Sequence, residues 1–325
     1  MKVSLFLRKK RYGQNSIEEI AYDIASSNED VSLKTFPEAT SSLKNIIANI
    51  KYARANKGDV NLFYQPSEAY CTWGLKNSIV TYHDIGTLVS RSRLKTFLLK
   101  VLIIWIPEFC ARKLVCISEF TKKELTDSLL IKKHASKIVL IYQGYKRQLT
   151  YSPKEYNTSN PVILHVGTAE RKNLSTVIKA LEGSKFHLDI VGELSLEQKE
   201  LLEKTKIDYT NYVDLDYSEL VKLYQKCDIV TFPSSYEGFG MIVIEANVIG
   251  RCVITSSIPV IKEIAGDGSY FVEDPLDVQE LKDAISKIDS DSTLREELIC
   301  RGRKNAERFT MQNLIDSYNK LYTQL

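Results

Sequence analysis

The 325 residues exceed what one hydrophobic core ordinarily organises and suit two domains of about 150 residues each. A hydrophobic fraction of 44% beside 26% charged residues excludes a disordered or membrane-embedded chain. The net charge of +3 leaves no electrostatic footprint for nucleic acid, so no nucleic-acid partner is expected.

The opening M-K-V-S-L-F-L-R-K-K has too short an apolar core for a signal peptide and reads as a first strand, Val3 to Leu7. A basic loop, Arg8 to Arg11, and Gly13 follow; then Ile17, Ile20, Ala21 and Ile24 fall on one helical face. Strand, loop and helix open a Rossmann-like unit, but without G-x-G-x-x-G a dinucleotide is not expected. The alternation continues with a helix around Ser42–Asn56, a strand at Val60–Tyr64 and a strand at Ser78–Tyr82 that ends on His83-Asp84. The carboxyl end of a parallel strand faces the ligand crevice of such folds, which makes His83 a candidate site residue. Arg91, Arg93, Lys95 and Lys100 interleave with Leu98, Leu99, Leu102, Ile103 and Trp105. Residues 91–106 fit either a buried helix with a basic flank or an amphipathic patch resting on an anionic membrane surface. The apolar stretch Phe97–Ile106 is too short to span a bilayer. Ser118 reads as a helix N-cap, and Ile138–Ile141 as the last strand of the first half.

Residues 151–161, polar and proline-bounded, read as a linker between a first domain at 1–150 and a second at 162–305. Val162 to Gly167 is a strand into a tight turn, and Thr168 to Asn173 leads into a helix. Phe186–Val191 is a strand ending at Gly192; a short strand follows near Tyr212-Val213, and Tyr217–Lys226 is a helix. Residues 228–249 carry the strongest signal: an apolar strand stops at Pro233, the loop Ser234 to Gly240 follows, and Met241 to Ile249 continues as a helix. A glycine-bearing loop at a helix N-terminus is a ready anion site. Glu237 and Glu245 bracket it, and Glu245 lies in an apolar run where a carboxylate is costly unless paired or used. Cys252–Thr255 is a further strand, and Arg303 to Leu325 is one long helical pattern. The six cysteines form no C-x-x-C pair and read as reduced thiols of a cytoplasmic protein.

The string Pro233-Ser234-Ser235-Tyr236-Glu237-Gly238-Phe239-Gly240, then Glu245-Ala246, resembles the E-x(7)-E signature of retaining glycosyltransferases of family 4, the group 1 glycosyltransferases. V-T-Y-H-D at His83, the S-x-x-T-K element at Ser118 and R-K-N at Arg171-Lys172-Asn173 are similar to further motifs of that family. The chain departs from it in carrying only Gly13 where relatives have paired glycines, in a spacer before Arg171 one residue shorter, in Arg251-Cys252, and in Met311 where Trp is usual.

The resemblance implies an α/β protein of two Rossmann-like domains facing across a cleft, the GT-B fold, with residues 306–325 crossing back as a helix onto the first domain. It assigns Arg171 and Lys172 to the donor diphosphate, Glu237 to the sugar hydroxyls, Glu245 to the ribose and His83 to the donor sugar. Gly13, Gly167, Gly192, Val213, Gly238, Phe239, Gly240 and Met241 would line the donor site. The implied reaction is metal-independent, needs no cofactor beyond the nucleotide-diphosphate sugar, and retains configuration through an oxocarbenium-like state. Mannose from GDP-mannose is the expected donor, with UDP-sugars as the alternative, and a glycan or lipid-linked acceptor in surface polysaccharide synthesis is expected. The place implied is the cytoplasm, peripheral on the inner face of the plasma membrane. Asp214-Leu215-Asp216 fits a D-x-D string but lies in a turn where no metal is expected. Rival readings are a nucleotide-sugar-binding subunit without turnover, a sugar-nucleotide epimerase and an NAD enzyme, the last disfavoured by the missing glycine fingerprint.

Overall fold

The computed structural model describes residues 1–9, 16–40, 42–86 and 93–325. The chain forms two units, Met1–Gly144 with Met311–Leu325, and Tyr145–Thr310.

In the first unit, strands and helices alternate: β1 (Val3–Leu7), α1 (Ser16–Ser26), β2 (Val31–Thr35), α2 (Leu43–Ala55), β3 (Val60–Phe63), β4 (Ser78–Tyr82), α3 (Arg93–Lys100), α4 (Ile106–Cys110), β5 (Lys113–Cys116), α5 (Glu119–Ser128) and β6 (Ile138–Leu140). The strands form one parallel sheet in the order β2-β1-β3-β4-β5-β6. Helices cover both faces of such a sheet, so β1, β3 and β4 are buried at every residue and show no alternation. Ile20, Ala21 and Ile24 of α1 share one core cluster with Leu314, Ile315 and Tyr318 of the terminal helix, Met311–Tyr322. The Tyr318 hydroxyl and Thr81 Oγ1 lie 2.7 Å apart, which ties that helix to β4. A second cluster holds the stacked rings of Phe6, Phe36 and Phe63. Ser118 caps α5, its hydroxyl accepting from Thr121 N at 3.0 Å.

Between α3 and α4, residues Val101–Trp105 wind as a π-turn in which Ile106 N–H reaches back to Val101 O. Pro107 supplies the reason. In a regular α-helix its ring would collide with the Ile103 carbonyl, and it has no N–H to offer that oxygen. The wider turn makes room, and the buried Tyr82 hydroxyl donates to Ile103 O at 2.6 Å.

The second unit runs β7 (Val162–Val166), α6 (Leu174–Ala180), β8 (His187–Val191), α7 (Leu196–Thr205), β9 (Asp208–Tyr212), α8 (Tyr217–Lys226), β10 (Ile229–Phe232), α9 (Met241–Ile249), β11 (Cys252–Ser256), α10 (Pro259–Ala265), β12 (Tyr270–Val272), α11 (Val278–Ser290) and α12 (Ser292–Ala306). Its parallel sheet has the order β12-β11-β10-β7-β8-β9. Chain order therefore reverses between β7 and β10, and the crevice beyond the carboxyl ends of those two strands is the topological switch point where such sheets bind ligands.

Three local expectations differ from what is found. The strand expected near Tyr212-Val213 runs earlier, over Asp208–Tyr212; its polar D-Y-T-N-Y suits an edge and hides it from an apolar search. The tail is not one helix: it breaks at Thr310, whose backbone is extended at ψ 150°. Phe309, buried edge-on against Phe239, belongs to the second unit, and Met311 to the core of the first. Residues 151–161 are fastened to the second unit throughout. Asp228 accepts from Asn157 N at 3.0 Å and Val162 N at 2.8 Å and pairs with Lys154, and Tyr156 donates to Asp289 at 2.8 Å.

Arg251, the departure from the family pattern before β11, explains part of this fastening. Its buried guanidinium donates to backbone carbonyls: Tyr224 O at 2.8 Å, Gln225 O at 2.6 Å, Ser152 O at 2.9 Å and Gly250 O at 3.0 Å. One side chain thus closes the carbonyl ends of α8 and α9 and holds the incoming segment at Ser152.

Candidate active site

At the carboxyl end of β7 the chain turns at Gly167 (φ +100°), whose amide donates to Val191 O at 2.8 Å. A Cβ at this position would sit 3.3 Å from Lys172 Cγ, so the glycine lets the lysine stem cross close to the turn. Residues Glu170–Lys172 form one 3-10 turn, and Asn173, in the left-handed region at φ 56°, starts α6. The Asn173 amide donates to Pro233 O and Ser235 Oγ, both at 2.7 Å, and Ser235 N donates to Arg171 O at 2.8 Å. These bonds lock the loop after β7 to the loop after β10.

The charged groups meet across that seam. Lys172 Nζ lies 2.6 Å from Glu237 Oε1 and 4.1 Å from the centre of the Phe232 ring. Ser234 Oγ donates to the same Oε1 at 2.6 Å, and Arg171 Nε stands 3.9 Å from it. All these contacts fall on Oε1. Burial pulls the Lys172 ammonium below the usual lysine range, and the Glu237 carboxylate opposes that pull. Beneath Lys172 lies His165, fully buried in β7, with Nδ1 3.2 Å from Thr231 Oγ1 across the sheet and Nε2 without a partner among the described residues. Burial and the nearby ammonium push its pKa down to about 3, so the ring is neutral.

Glu245 forms a separate cluster on α9. The Tyr217 hydroxyl donates to its Oε1 at 3.0 Å and the buried Tyr224 hydroxyl to its Oε2 at 2.9 Å. Lys146 Nζ lies 3.3 Å from the centre of the Tyr217 ring. Gly240 (φ +100°) precedes Met241, the first residue of α9, and no side chain caps this helix start. A Cβ on Gly240 would come within 2.6 Å of Ile261 Cδ1. The Phe239 ring is buried against Phe309.

Gly192 (φ +131°) ends β8, and its amide donates to Tyr212 O at 2.8 Å, which sets exposed Val213 beside it. Thr168 Oγ1 donates to Glu193 O at 2.6 Å, and Gln198 Nε2 donates to Thr168 O at 2.8 Å. Asp216 is the N-cap of α8 in a capping box with Glu219, which gives the D-x-D string a structural role.

In the first unit, His83 Nε2 lies 2.8 Å from Tyr64 O. A carbonyl only accepts, so Nε2 carries the proton. Burial lowers the pKa and keeps the ring neutral, which leaves a lone pair on Nδ1. Nearby, Glu18 Oε1 accepts from Arg8 Nε at 2.9 Å and Gln65 Nε2 at 3.1 Å, so the basic run begins with a paired arginine. Lys9 Nζ stands 3.9 Å from Glu38, whereas Lys10, Arg11, Gly13 and Arg91 lie outside the described residues.

The structure thus gathers Arg171, Lys172 and Glu237 at the switch point, strings Gly167, Gly192 and Val213 along the strand ends, and sets Glu245 apart with two phenols. Sequence reasoning missed Ser234, Asn173, His165, Tyr217 and Tyr224 as parts of these clusters. Tyr217 and Tyr224 are seven apart on one helix, hence on one face; that spacing was the available signal.

Residues 150–305 match the family described as glycosyl transferases group 1. The chain is 23% identical over 218 residues to an uncharacterized glycosyltransferase of Methanocaldococcus jannaschii, covering 66% of this chain and 60% of that one. It is 28% identical over 218 residues to the O-antigen chain mannosyltransferase B of Escherichia coli, covering 62% of this chain and 50% of the relative. The matched region thus spans half to three fifths of these relatives. Anabaena HepE, solved with UDP and glucose, shares the fold over 100% of both chains at TM-score 0.81 and 16% identity.

Proposed function

Residues 150–305 belong to the group 1 glycosyltransferases, and we propose that this protein transfers a hexose from a nucleotide-diphosphate sugar to a glycan or lipid-linked acceptor. The observation that carries the reading is the Lys172–Glu237 pair at the switch point, with Arg171 alongside. A nucleotide diphosphate is already a competent leaving group; what the transfer needs is neutralisation of the charge that builds on it and orientation of the sugar. Lys172 and Arg171 supply cationic donors for the departing phosphate. Glu237, anchored through Oε1 by Lys172 and Ser234, turns Oε2 to sugar hydroxyls. The amides from Gly238 to Met241 add a helix start for the phosphates.

Attack from the leaving-group side, through an oxocarbenium-like state with the β-phosphate taking the acceptor proton, fits this set. Both nearby carboxylates are otherwise committed, Glu237 to a lysine and Glu245 to two tyrosines, and neither is placed as a glycosidase acid–base partner. The proposed chemistry uses no metal.

Relatives named for mannosyl transfer to O-antigen support mannose and surface polysaccharide; HepE, solved with UDP and glucose, supports a UDP-sugar as the second reading. A membrane-facing role for the first unit rests on α3, where Leu94, Phe97 and Leu98 are exposed beside Arg93 and Lys95.

The test is a thermal-shift panel of GDP, UDP, ADP, dTDP and their sugars, with and without chelator. A ligand at about a hundred times its Kd stabilises by about 2.7 kcal/mol. One nucleotide standing out with chelator present, and sugar transfer from its hexose derivative, is the expected result. No shift with any nucleotide, or a roughly hundredfold activity loss on chelation, overturns the reading.

A further inference from the structure

Glu245 is a buried carboxylate whose charge is met by phenols. Each oxygen receives one: Oε1 the Tyr217 hydroxyl at 3.0 Å, Oε2 the Tyr224 hydroxyl at 2.9 Å. Two donors on two oxygens fix the plane of a carboxylate, which a single donor leaves free to swing about its Cγ–Cδ bond. Tyr224 is itself immobile, fully buried in α8 against α9. Tyr217, half-buried two turns earlier on the same face of α8, is held by the Lys146 ammonium over its ring at 3.3 Å. Phenols lend one proton each and leave the negative charge on the carboxylate, which therefore stays a strong acceptor toward hydroxyl groups.

We propose that Tyr217 and Tyr224 are positioning residues that hold Glu245 in the plane in which it accepts both hydroxyls of a ribose, and that they make this chain select ribonucleotide over 2′-deoxyribonucleotide donors. The inference rests on the reading of Glu245 as the ribose acceptor. Two hydroxyls on adjacent ring carbons match two carboxylate oxygens only when the carboxylate is coplanar with them. A 2′-deoxyribose offers one hydroxyl and so makes only one of the two bonds that the fixed plane allows.

Calorimetric binding of UDP, GDP, 2′-deoxy-UDP and 2′-deoxy-GDP to the full chain, to Tyr217→Phe, Tyr224→Phe and Glu245→Gln, tests both layers. The native chain is expected to favour the ribonucleotide by about tenfold, the scale of one hydrogen bond to a charged group. Each tyrosine variant should bring that ratio below about threefold by weakening ribonucleotide binding alone, with the deoxy affinity kept within about twofold. If both affinities fall together, or the ratio survives in Tyr217→Phe, the tyrosines are structural and the inference is overturned. If the native chain does not discriminate, or Glu245→Gln leaves the ratio intact, the ribose reading of Glu245 is what fails. Tyr217→Phe carries the test should Tyr224→Phe, which removes a buried hydroxyl, fail to fold.

Discussion

Lys172 Nζ and Glu237 Oε1 lie 2.6 Å apart, and they come from loops after β7 and β10, the two strands between which chain order reverses. The pair is therefore a product of topology: each residue is placed by the end of its own strand, and only the reversal makes the ends neighbours. Lys172→Ala is expected to lower kcat by about a hundredfold, the usual loss on removing a preorganised charge stabiliser. Glu237→Gln tests the coupling itself. Burial already lowers the Lys172 pKa and Glu237 is the main influence raising it, so its loss lets the ammonium deprotonate at lower pH. The alkaline limb of diphosphate binding should then move to lower pH than in the native chain. An unmoved limb in pH-dependent calorimetry would show that Glu237 does not support the charge.

His165 gives a stability signature. Its pKa falls to about 3 in the folded chain against 6.5 for the free side chain, so below pH 6.5 the unfolded chain binds a proton that the folded one refuses. This contribution is present above pH 6.5 and lost as pH falls toward 3, at up to about 1.4 kcal/mol per unit. His165→Leu should flatten the acid side of the urea-midpoint profile between pH 6.5 and 4. Parallel profiles for the two proteins would count against a buried neutral ring.

Arg251 is expected to matter for stability and little for chemistry. Arg251→Ala leaves buried carbonyls of α8, α9 and Ser152 without their donor, at about 1–3 kcal/mol for each that water fails to reach. A loss of about 3–5 kcal/mol in urea unfolding is the expected outcome, with Arg251→Lys, which has three donors on one point, recovering only part. Loss below about 1 kcal/mol would mean water replaces the guanidinium freely.

The exposed face of α3 should bind anionic vesicles. Co-sedimentation with phosphatidylglycerol vesicles, absent with phosphatidylcholine alone, is expected to drop by about tenfold in a Leu94→Asp, Phe97→Asp double variant whose nucleotide binding is intact. Equal binding by variant and native chain would remove the membrane from the picture.

Much of this was readable in the residues. The central strands are long apolar runs because helices cover both faces, and R-K-N and Glu237 mark the two loops that meet at the switch point. What stayed hidden were contacts between segments distant in sequence. The polar β9 has no apolar run to announce it, and the break at Thr310 arises because Phe309 and Met311 belong to different cores. The reason for Arg251 is a set of carbonyls, and carbonyls are identical at every position of a sequence. The same blindness covers Tyr217 and Tyr224, whose helical spacing was plain but whose shared partner sits on another helix.

Pro107 and Tyr82 carry one more consequence. The proline withholds a hydrogen from the Ile103 carbonyl, and the tyrosine on β4 supplies it. The two positions are thus one decision written in two places. A chain with alanine at 107 has its own N–H for that turn and can spare the hydroxyl at 82; a chain with proline cannot. Tyr82→Phe should accordingly cost more in the native background than alongside Pro107→Ala, and the difference is the energy by which one helix depends on a strand.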